Sequence, residues 1–509
     1  MMLTWRKALI TLVCVGLSLV GMPPGTGTGA PAPRQIVIAQ GLFPVSLDPA
    51  VATDQATLNV VEQINEPLLL WTPRAGLRPY LATSWKAVSP TTWEVQLRHG
   101  VMFTDGEELT ADVVKFNWQR LQDPNFKPPN WPLARGITDI TAADKYTVRF
   151  TTQDPDPVFP LRILSEVPLV PMTYLQQHGN QYFAEHPIGT GPYKFVEKVT
   201  DERVVLEANA AYWRGKPSLD KITFLSIPEA SSRMAALQTG AADLVTLVNI
   251  DDAPRLTQAG LHVVSEPSLR VMHVILDTLH GGPTADKRVR QALNYAIDKD
   301  ALIKFVLKGY GATVQGQMLS KDYFGFNPSL KAYPYDPAQA KKLLAEAGYP
   351  NGLTLTFYAP HGRYMADQQI ADAIAGQLKT AGVTAEEQTL EWGTYIQKLQ
   401  AKQLTPLAFL GLALLPDADL MLAEHLCGET YSYYCNKQFD SLVLSARHEI
   451  NPEKRKQLYW QATALEHDDP PVIFLWQQVD LYGVVGRIKN WHPRSDEMID
   501  LWGVSTPGS

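Results

Sequence analysis

The sequence has no surplus of basic residues and, after residue 22, no long uncharged apolar run. Its 45 Lys and Arg are outnumbered by 52 Asp and Glu, which gives a formal net charge of -7. This balance argues against nucleic acid or an anionic membrane surface as a partner. No segment beyond residue 22 is predicted to form a transmembrane helix. The composition, with 45% hydrophobic residues, is that of a globular protein, and the length suggests roughly two to four domains.

Motifs that mark common enzyme sites are also missing. The sequence has no G-x-S-x-G nucleophile elbow, no H-E-x-x-H zinc helix and no phosphate loop ending in Gly-Lys-Ser/Thr. The Gly-rich segment GTGPY (189–193) contains Pro192, which removes a backbone donor, and no helix start follows it. We expect a sharp turn there. The sequence therefore predicts a protein that is not an enzyme and that carries no metal and no cofactor.

Residues 1–32 have the layout of a secretory signal peptide. Arg6 and Lys7 precede an uncharged apolar run from Ala8 to Met22, and a Pro-rich stretch of small residues follows. The run is too short for a comfortable membrane span. Cys14 lacks the small residue expected just before a lipidated cysteine. We therefore expect an exported, soluble protein.

Only Cys427 and Cys435 remain after this segment, close together in CGETYSYYC. Thiols oxidise in the compartments that receive exported proteins. We predict a disulfide that closes this small loop. The alternative is a zinc pair with His425, which lacks a fourth ligand at the usual spacing.

The first half of the exported chain predicts a mixed α/β lobe over 35–268. Short strand-like runs such as TWEVQL (92–97) and KITFLSI (221–227) alternate with turns and a few helices. One predicted helix, SSRMAALQTG (231–240), ends at Gly240, a residue that readily adopts the left-handed backbone of a C-terminal cap.

The second half is more regular and predicts a second α/β lobe over 269–479. Helix signals are complete in YDPAQAKKLLAEAGYP (335–350), with Asp336 as N-cap and Pro337 at the first helical position. Strands at 353–359, 384–392 and 406–414 then alternate with helices at 366–382 and 394–402. Two consecutive βαβ units imply parallel strands with right-handed crossovers.

A last apolar run at 470–476 closes this lobe, and the segment 480–509 is predicted to return to the first lobe. We therefore expect two α/β lobes joined by crossing strands, with a cleft and a hinge between them. In such folds a ligand binds at the carboxyl ends of the parallel strands.

Loops that follow these parallel strands bring candidate ligand-binding residues to one edge of the sheet. Arg363 and Tyr364 follow the first strand, Trp392 the second, and Asp417 and Asp419 the third. A cation, aromatic faces and carboxylates at one edge can hold a zwitterionic or anionic solute. The alternative is a salt bridge between Arg363 and Asp417 at the rim of the cleft.

Several ordered blocks resemble the extracytoplasmic solute-binding proteins of peptide, nickel and opine ABC importers, known as solute-binding protein family 5. The longest is LRPYLATSWKAVSPTTWEVQLRHGVMFTDGEELTADVVKFNWQRL (77–121). Shorter ones are HPIGTGPYKFVE (186–197), LEANAAYWRGKPSLDKITF (206–224) and VRQALNYAIDKDALI (289–303). The resemblance covers the chain from about residue 40 to about residue 490.

This resemblance implies a two-lobed periplasmic receptor of the Venus-flytrap kind, with mixed and parallel sheets and a subdomain inserted in the first lobe at about 78–187. It also implies a monomer that captures a small peptide or peptide-like solute between hinged lobes. Such a receptor delivers its solute to ABC permease subunits in the inner membrane.

The loop after the strand at 406–414 departs from the family pattern. Peptide-binding relatives usually carry a Trp and then an Asp early in this loop, where the chain has Leu412, Leu414 and Leu415. Nickel-binding relatives place a His where the chain has Asp419. An opine, a sugar conjugate or a metal chelate is therefore an alternative to a peptide. A secreted hydrolase and a periplasmic chaperone are more remote alternatives.

Overall fold

Residues 34–507 are described by a computed structural model, and the predicted signal peptide lies outside these described residues. The strands are β1 (Gln35–Gln40), β2 (Leu69–Thr72), β3 (Gly76–Pro79), β4 (Ala82–Ser89), β5 (Thr92–Leu97), β6 (Ile137–Asp144), β7 (Thr147–Thr152), β8 (Tyr193–Val199), β9 (Arg203–Ala208), β10 (Lys221–Ser226), β11 (Leu244–Val245), β12 (His262–Leu276), β13 (Gly311–Thr313), β14 (Leu353–His361), β15 (Val383–Glu391), β16 (Leu407–Leu412) and β17 (Val472–Val484).

The α-helices are α1 (Gln55–Ile64), α2 (Ala111–Leu121), α3 (Met172–His178), α4 (Asn180–Glu185), α5 (Ala230–Thr239), α6 (Ala253–Gln258), α7 (Lys287–Tyr295), α8 (Lys299–Ala301), α9 (Pro337–Glu346), α10 (Asp367–Thr380), α11 (Trp392–Gln400), α12 (Ala418–Ala423), α13 (Lys437–His448) and α14 (Pro452–Asp468). Short 3₁₀ or π turns cover Trp131–Ala134, Pro160–Leu164, Ile250–Asp252, Pro283–Ala285 and Leu302–Val306. None of the helices within 34–507 has the length and apolar character needed to cross a membrane.

Local sequence signals set several helix boundaries. The Asp336 carboxylate accepts a hydrogen bond from the Gln339 backbone N–H at 2.8 Å, and Pro337 then opens α9. Gly240 ends α5 with φ of 74°, a left-handed conformation that costs glycine little. Both ends agree with the caps predicted from the sequence.

One large mixed sheet organises most of the chain. Its strand order is β15-β14-β16-β12-β17-β11-β1-β10-β9-β8, and β13 pairs with β17 outside this path. Strand β14 pairs in parallel with β15 and β16, as the predicted βαβ units require, and β1 pairs in parallel with β10 and β11. We refer to β11, β1, β10, β9 and β8 as the β1 side, and to β16, β14 and β15 as the β14 side.

Two long strands, β12 and β17, run antiparallel through the centre of this sheet. Residues 262–267 of β12 pair with 479–484 of β17, and residues 271–275 pair with 472–477. The ladder is irregular between these stretches. The first stretch lies beside β11 and the second beside β16, so this pair of strands links the β1 side to the β14 side.

Strand β17 runs without a break from Val472 to Val484, across the boundary predicted between the second lobe and the return segment. The polar residues Gln477 and Gln478 do not end the strand. Their backbone positions pair with β13 on one side, and Gln477 also pairs with β12 on the other. Ladder pairing on two sides therefore overrides the polar interruption.

A separate four-stranded antiparallel sheet, in the order β4-β5-β7-β6, lies within the predicted inserted subdomain. Helix α2 packs on this sheet through Trp118, whose ring centroid lies 4.9 Å from that of Phe150. Both side chains are fully buried in a hydrophobic cluster of their own. The boundaries 78–187 of this subdomain, like those of the two lobes, stay predictions.

The Gly-rich segment at 189–193 passes directly against the end of α1. The Gly191 N–H donates a hydrogen bond to the Ile64 carbonyl at 2.8 Å. A Cβ atom on Gly189 would lie 2.0 Å from the same carbonyl oxygen. Glycine is therefore needed here for a close backbone approach.

Candidate ligand-binding site

A narrow cavity lies beside β17, where residues from both sides of the large sheet meet. Gly41 and Asn59 line it from the β1 side, Arg363 from the β14 side, and Asp480 and Glu497 lie between them. We call this space the hinge cavity. Its free volume of about 50 Å³ gives room for a few waters or for one small charged group.

The turn between β14 and α10 positions Arg363 at this cavity. The Asp367 carboxylate accepts hydrogen bonds from the backbone N–H groups of Arg363 at 2.9 Å and of Tyr364 at 3.2 Å. Asp367 is buried and opens α10, so the turn is tied to the first residue of the helix. The Arg363 backbone is thus fixed independently of its own side chain.

The Arg363 guanidinium is held by aromatic rings. It lies 5.1 Å from the ring centroid of Tyr364 and 5.2 Å from that of Trp392. The Tyr364 hydroxyl accepts a hydrogen bond from the Gly411 N–H at 3.0 Å, which anchors this ring to β16. The structure therefore brings three of the predicted site residues together, as the topology of the parallel strands predicts.

Among residues 34–507, the Arg363 side chain has no hydrogen-bonding partner and no ion pair. Burial lowers the pKa of the Arg363 guanidinium, and the neighbouring Arg270 lowers it further. Both effects reflect an unfavourable environment for an isolated cation. Among the described residues, the closest stabilising contacts of this positive charge are the two ring faces, and Glu497 and Asp54 oppose the lowering of its pKa without forming an ion pair with it.

Glu497, which lines the hinge cavity, forms a buried ion pair with Arg270. The Arg270 Nε and Nη2 atoms donate to the two Glu497 oxygens at 2.8 and 2.7 Å, and Nη1 donates to the Gly411 carbonyl at 2.7 Å. Burial would raise the pKa of Glu497, but Arg270 more than offsets it and the pKa is lowered. Glu497 is thereby engaged by Arg270 and does not pair with Arg363.

Asp480 is the second acid of this cavity and is only 3% exposed. Its Oδ1 atom accepts a hydrogen bond from Gln478 Nε2 at 2.5 Å. Burial, and then the charge of Glu497, raise the pKa of Asp480. Asp480 therefore resists carrying a full negative charge.

The structure places Asp417 and Asp419 apart from Arg363, against other arginines. Both Asp417 oxygens accept hydrogen bonds from Arg455, at 2.9 and 2.5 Å, and Asp417 is also the N-cap of α12. Asp419 Oδ1 accepts from Arg447 Nε at 2.8 Å. The alternative salt bridge between Arg363 and Asp417 is therefore wrong, because Arg455 occupies Asp417. Ligand contacts by the two aspartates stay predictions.

Cys427 and Cys435 are joined by a disulfide bond. His425, the third residue of the zinc alternative, is buried and its Nδ1 lies 2.5 Å from Glu466 Oε1. Both sulfurs are thus engaged with each other, and the imidazole is engaged with a carboxylate on α14.

Sequence reasoning missed Arg270, Asp480 and Glu497. Arg270 and Glu497 lie far apart in the chain, and neither stands in a motif or follows a predicted parallel strand. They meet because β12 passes the C-terminal segment, where the Leu269 N–H donates to the Ser495 carbonyl at 2.7 Å. The signal in the sequence that could have pointed to Arg270 is a single long strand over 262–276.

Residues 76–428 match the family described as bacterial extracellular solute-binding proteins, family 5 Middle. Heme-binding protein A of Haemophilus influenzae is 28% identical over 506 residues, which cover 91% of this chain and 91% of that protein. Glutathione-binding protein GsiB of Pectobacterium atrosepticum is 30% identical over 460 residues, with 87% of this chain and 88% of that protein covered.

Solved structures agree with these sequence matches. The periplasmic binding protein DppA from Helicobacter pylori, in complex with the peptide STSA, superposes with a TM-score of 0.84 at 26% identity, covering 93% of this chain and 98% of that one. A dipeptide-binding protein from Pseudoalteromonas sp. SM9913, in complex with Met-Leu, gives a TM-score of 0.86 at 25% identity, covering 93% and 100%. These neighbours have the two-lobed architecture that the sequence predicts.

Proposed function

Because the chain belongs to the family 5 bacterial extracellular solute-binding proteins, we propose that Arg363 in the hinge cavity holds the anionic group of a small peptide or peptide-like solute. The protein is a solute-binding protein of the kind that serves ABC importers, and it is not an enzyme. Both predictions from the sequence are confirmed by the family match.

The observation that carries this proposal is the unpaired guanidinium of Arg363. Two aromatic rings fix its position, while its N–H donors lack a partner among the described residues. A planar guanidinium offers two parallel donors that match the oxygens of a carboxylate. The C-terminal carboxylate of a peptide would provide the missing negative charge.

The positions of the cavity residues on both sides of the large sheet support closure about a hinge. Arg363 stands on the β14 side, whereas Asn59 stands on the β1 side, and β12 and β17 link the two. A solute that contacts both sides stabilises only the closed arrangement, so binding shifts the population toward it.

The relatives support a peptide-like solute, since they include proteins named for glutathione and structures named for bound peptides. An opine, a sugar conjugate or a metal chelate with an anionic group would also suit Arg363. We further propose that the mature chain works as a monomer in the periplasm and passes its solute to permease subunits in the inner membrane.

Native mass spectrometry of the protein purified from a periplasmic extract tests this proposal. We expect a co-purified solute that carries at least one carboxylate, and calorimetric titration of the emptied protein with that solute should restore the complex. A neutral or purely cationic solute bound in the hinge cavity would contradict the role given to Arg363.

A further inference from the structure

Two side chains of opposite charge in the hinge cavity each have a buried polar atom without a partner. These atoms are Arg363 Nε and Asp480 Oδ2, and neither has a hydrogen bond to any group among residues 34–507. The two side chains line the same cavity, yet in the described chain they form no ion pair with each other. A buried polar atom without a partner is costly. The cavity thus offers one open donor and one open acceptor.

The other acid of this cavity is fully engaged. Besides its two hydrogen bonds from Arg270, Glu497 accepts one from the Ser268 hydroxyl, whose oxygen lies 2.8 Å from Glu497 Oε1. The Ser268 oxygen in turn accepts the Arg270 backbone N–H at 3.0 Å. Asp480 is therefore the acid of the cavity that keeps an open oxygen.

The neutral amide side chains that line the cavity are engaged as well. The Nε2 atoms of Gln40 and Gln55 donate to backbone carbonyls at 2.8 and 2.7 Å. The Oδ1 atom of Asn59 accepts a backbone N–H at 3.0 Å. Recognition of a charged solute in this cavity therefore depends mainly on Arg363 and Asp480.

Both of these groups are held in place by neighbouring side chains. The rings of Tyr364 and Trp392 hold the guanidinium, and Gln478 Nε2 donates to Asp480 Oδ1 at 2.5 Å. Burial raises the pKa of Asp480, and the charge of Glu497 raises it further. A cation at the open oxygen would offset both effects, whereas a second anion would add to them.

The small free volume of the cavity, about 50 Å³, restricts the group that can meet both side chains. Such a group must carry a carboxylate and a nitrogen donor close together. An ammonium and a carboxylate bonded to one carbon, as in an α-amino acid, satisfy this condition. The C-terminal residue of a peptide has a neutral amide nitrogen at this carbon, and its hydrogen bond to a carboxylate is weaker than that of an ammonium.

We infer that the hinge cavity takes an α-amino-acid head, whose carboxylate binds Arg363 and whose ammonium donates to Asp480 Oδ2. This inference rests on the proposed function, because it keeps Arg363 as the anion contact and adds a cation contact in the same cavity. The solute class narrows to amino acids and to conjugates or peptides that are linked through an amino-acid side chain. The remainder of such a solute lies outside the cavity.

Nε-acetyl-lysine and Nα-acetyl-lysine form a matched pair of probes. They are isomers with one carboxylate and one ammonium each, so their composition and their net charge at about pH 7 are the same. The two charges share one carbon in Nε-acetyl-lysine, whereas the ammonium of Nα-acetyl-lysine lies at the far end of the side chain. Calorimetric titration of the emptied protein should show at least tenfold tighter binding of Nε-acetyl-lysine.

Asp480→Asn removes the negative charge and keeps the size of the side chain. We expect this variant to bind Nε-acetyl-lysine at least tenfold more weakly, and to change the affinity for Nα-acetyl-lysine by less than about twofold. The control variant Asp201→Asn, in an exposed turn between β8 and β9, should bind both isomers as the wild type does. Thermal melting checks that both variants fold.

Equal affinity of the wild type for the two isomers, or no binding of Nε-acetyl-lysine, would overturn the inference without any variant. Unchanged binding of Nε-acetyl-lysine by folded Asp480→Asn would overturn it as well. Arg363→Ala tests the proposed function separately and should weaken both isomers. If the wild type binds both isomers equally and Arg363→Ala weakens both, the anion contact stands and the amino-acid head is refuted. If Arg363→Ala weakens neither isomer, the anion contact itself is refuted.

Discussion

Replacing Arg363 by alanine tests the hinge cavity as a solute site. The two rings hold the guanidinium in place before the solute arrives, so little side-chain freedom is lost on binding. Removing one partner of a buried, hydrogen-bonded charge pair costs about 2–5 kcal/mol. Each 1.4 kcal/mol changes an affinity tenfold. We therefore expect Arg363→Ala to lower the affinity for the co-purified solute roughly 30-fold to 4,000-fold, as measured by calorimetric titration.

The stability of the same variant should change little. No ion pair is lost, because Arg363 has none among the described residues, and the cost of burying an isolated cation disappears. The loss of the ring contacts, about 0.5–2 kcal/mol, is offset at least in part. Arg363→Lys should give intermediate affinity, since lysine keeps the positive charge but lacks the two parallel N–H donors of a guanidinium. The control variant Arg288→Ala, at an exposed position, should bind the solute as the wild type does. Unchanged affinity together with a lowered melting temperature would show that Arg363 is structural.

Four further outcomes are expected. Small-angle scattering should show contraction when the co-purified solute is added, and a constant radius of gyration at saturation would contradict hinge closure. The untreated exported protein should be about two hydrogens lighter than its reduced form, and free alkylation of Cys427 and Cys435 would contradict the disulfide. Arg270→Met should lower the free energy of unfolding by about 3–5 kcal/mol, because it leaves Glu497 buried without its partner; urea denaturation measures this loss, and Arg270→Met with Glu497→Met should recover part of it. Burial raises the pKa of Glu424 to about 7 in the folded protein. The contribution of this one group to the free energy of unfolding therefore falls as the pH rises from about 4.3, the pKa expected for an unfolded chain, to about 7. Glu424→Gln should therefore raise the melting temperature at about pH 8 and not at about pH 4, and an equal effect at both would rule out this cause.

Local sequence signals were sufficient to predict several helix ends, the parallel pairing of β14 and part of the candidate site. Caps such as Asp336 and Gly240 fix helix ends through interactions within a few residues. The βαβ pattern predicted the parallel pairing of β14, and this pairing brings the Arg363 loop beside Trp392. Both inferences depend only on neighbours along the chain or on consecutive strands.

These local signals could not predict pairing between strands that lie far apart in the sequence. Strand β12 carries Glu266 and Pro267 in its first half and does not alternate in polarity, so its continuity comes from pairing with β17. The contact between Arg270 and Glu497 depends on that pairing. Asp417 was assigned to the cleft by its place after β16, but Arg455, on α14, engages it first. A sequence shows that such arginines exist and does not show which carboxylate each will meet.

The strand order also determines the sequence in which the parts of the protein can form as the chain folds. Strand β1 pairs with β11, and β11 pairs with β17, so the β1 side of the sheet needs residues from the early and the late parts of the described chain. Leu501 and Val504, which are buried near the C-terminus, belong to the hydrophobic cluster that also contains residues of the β1 side. The subdomain with β4–β7 and the β14 side are built from closer segments and can fold earlier. The hinge cavity, which needs Glu497, forms only after the C-terminal part of the chain has joined the fold.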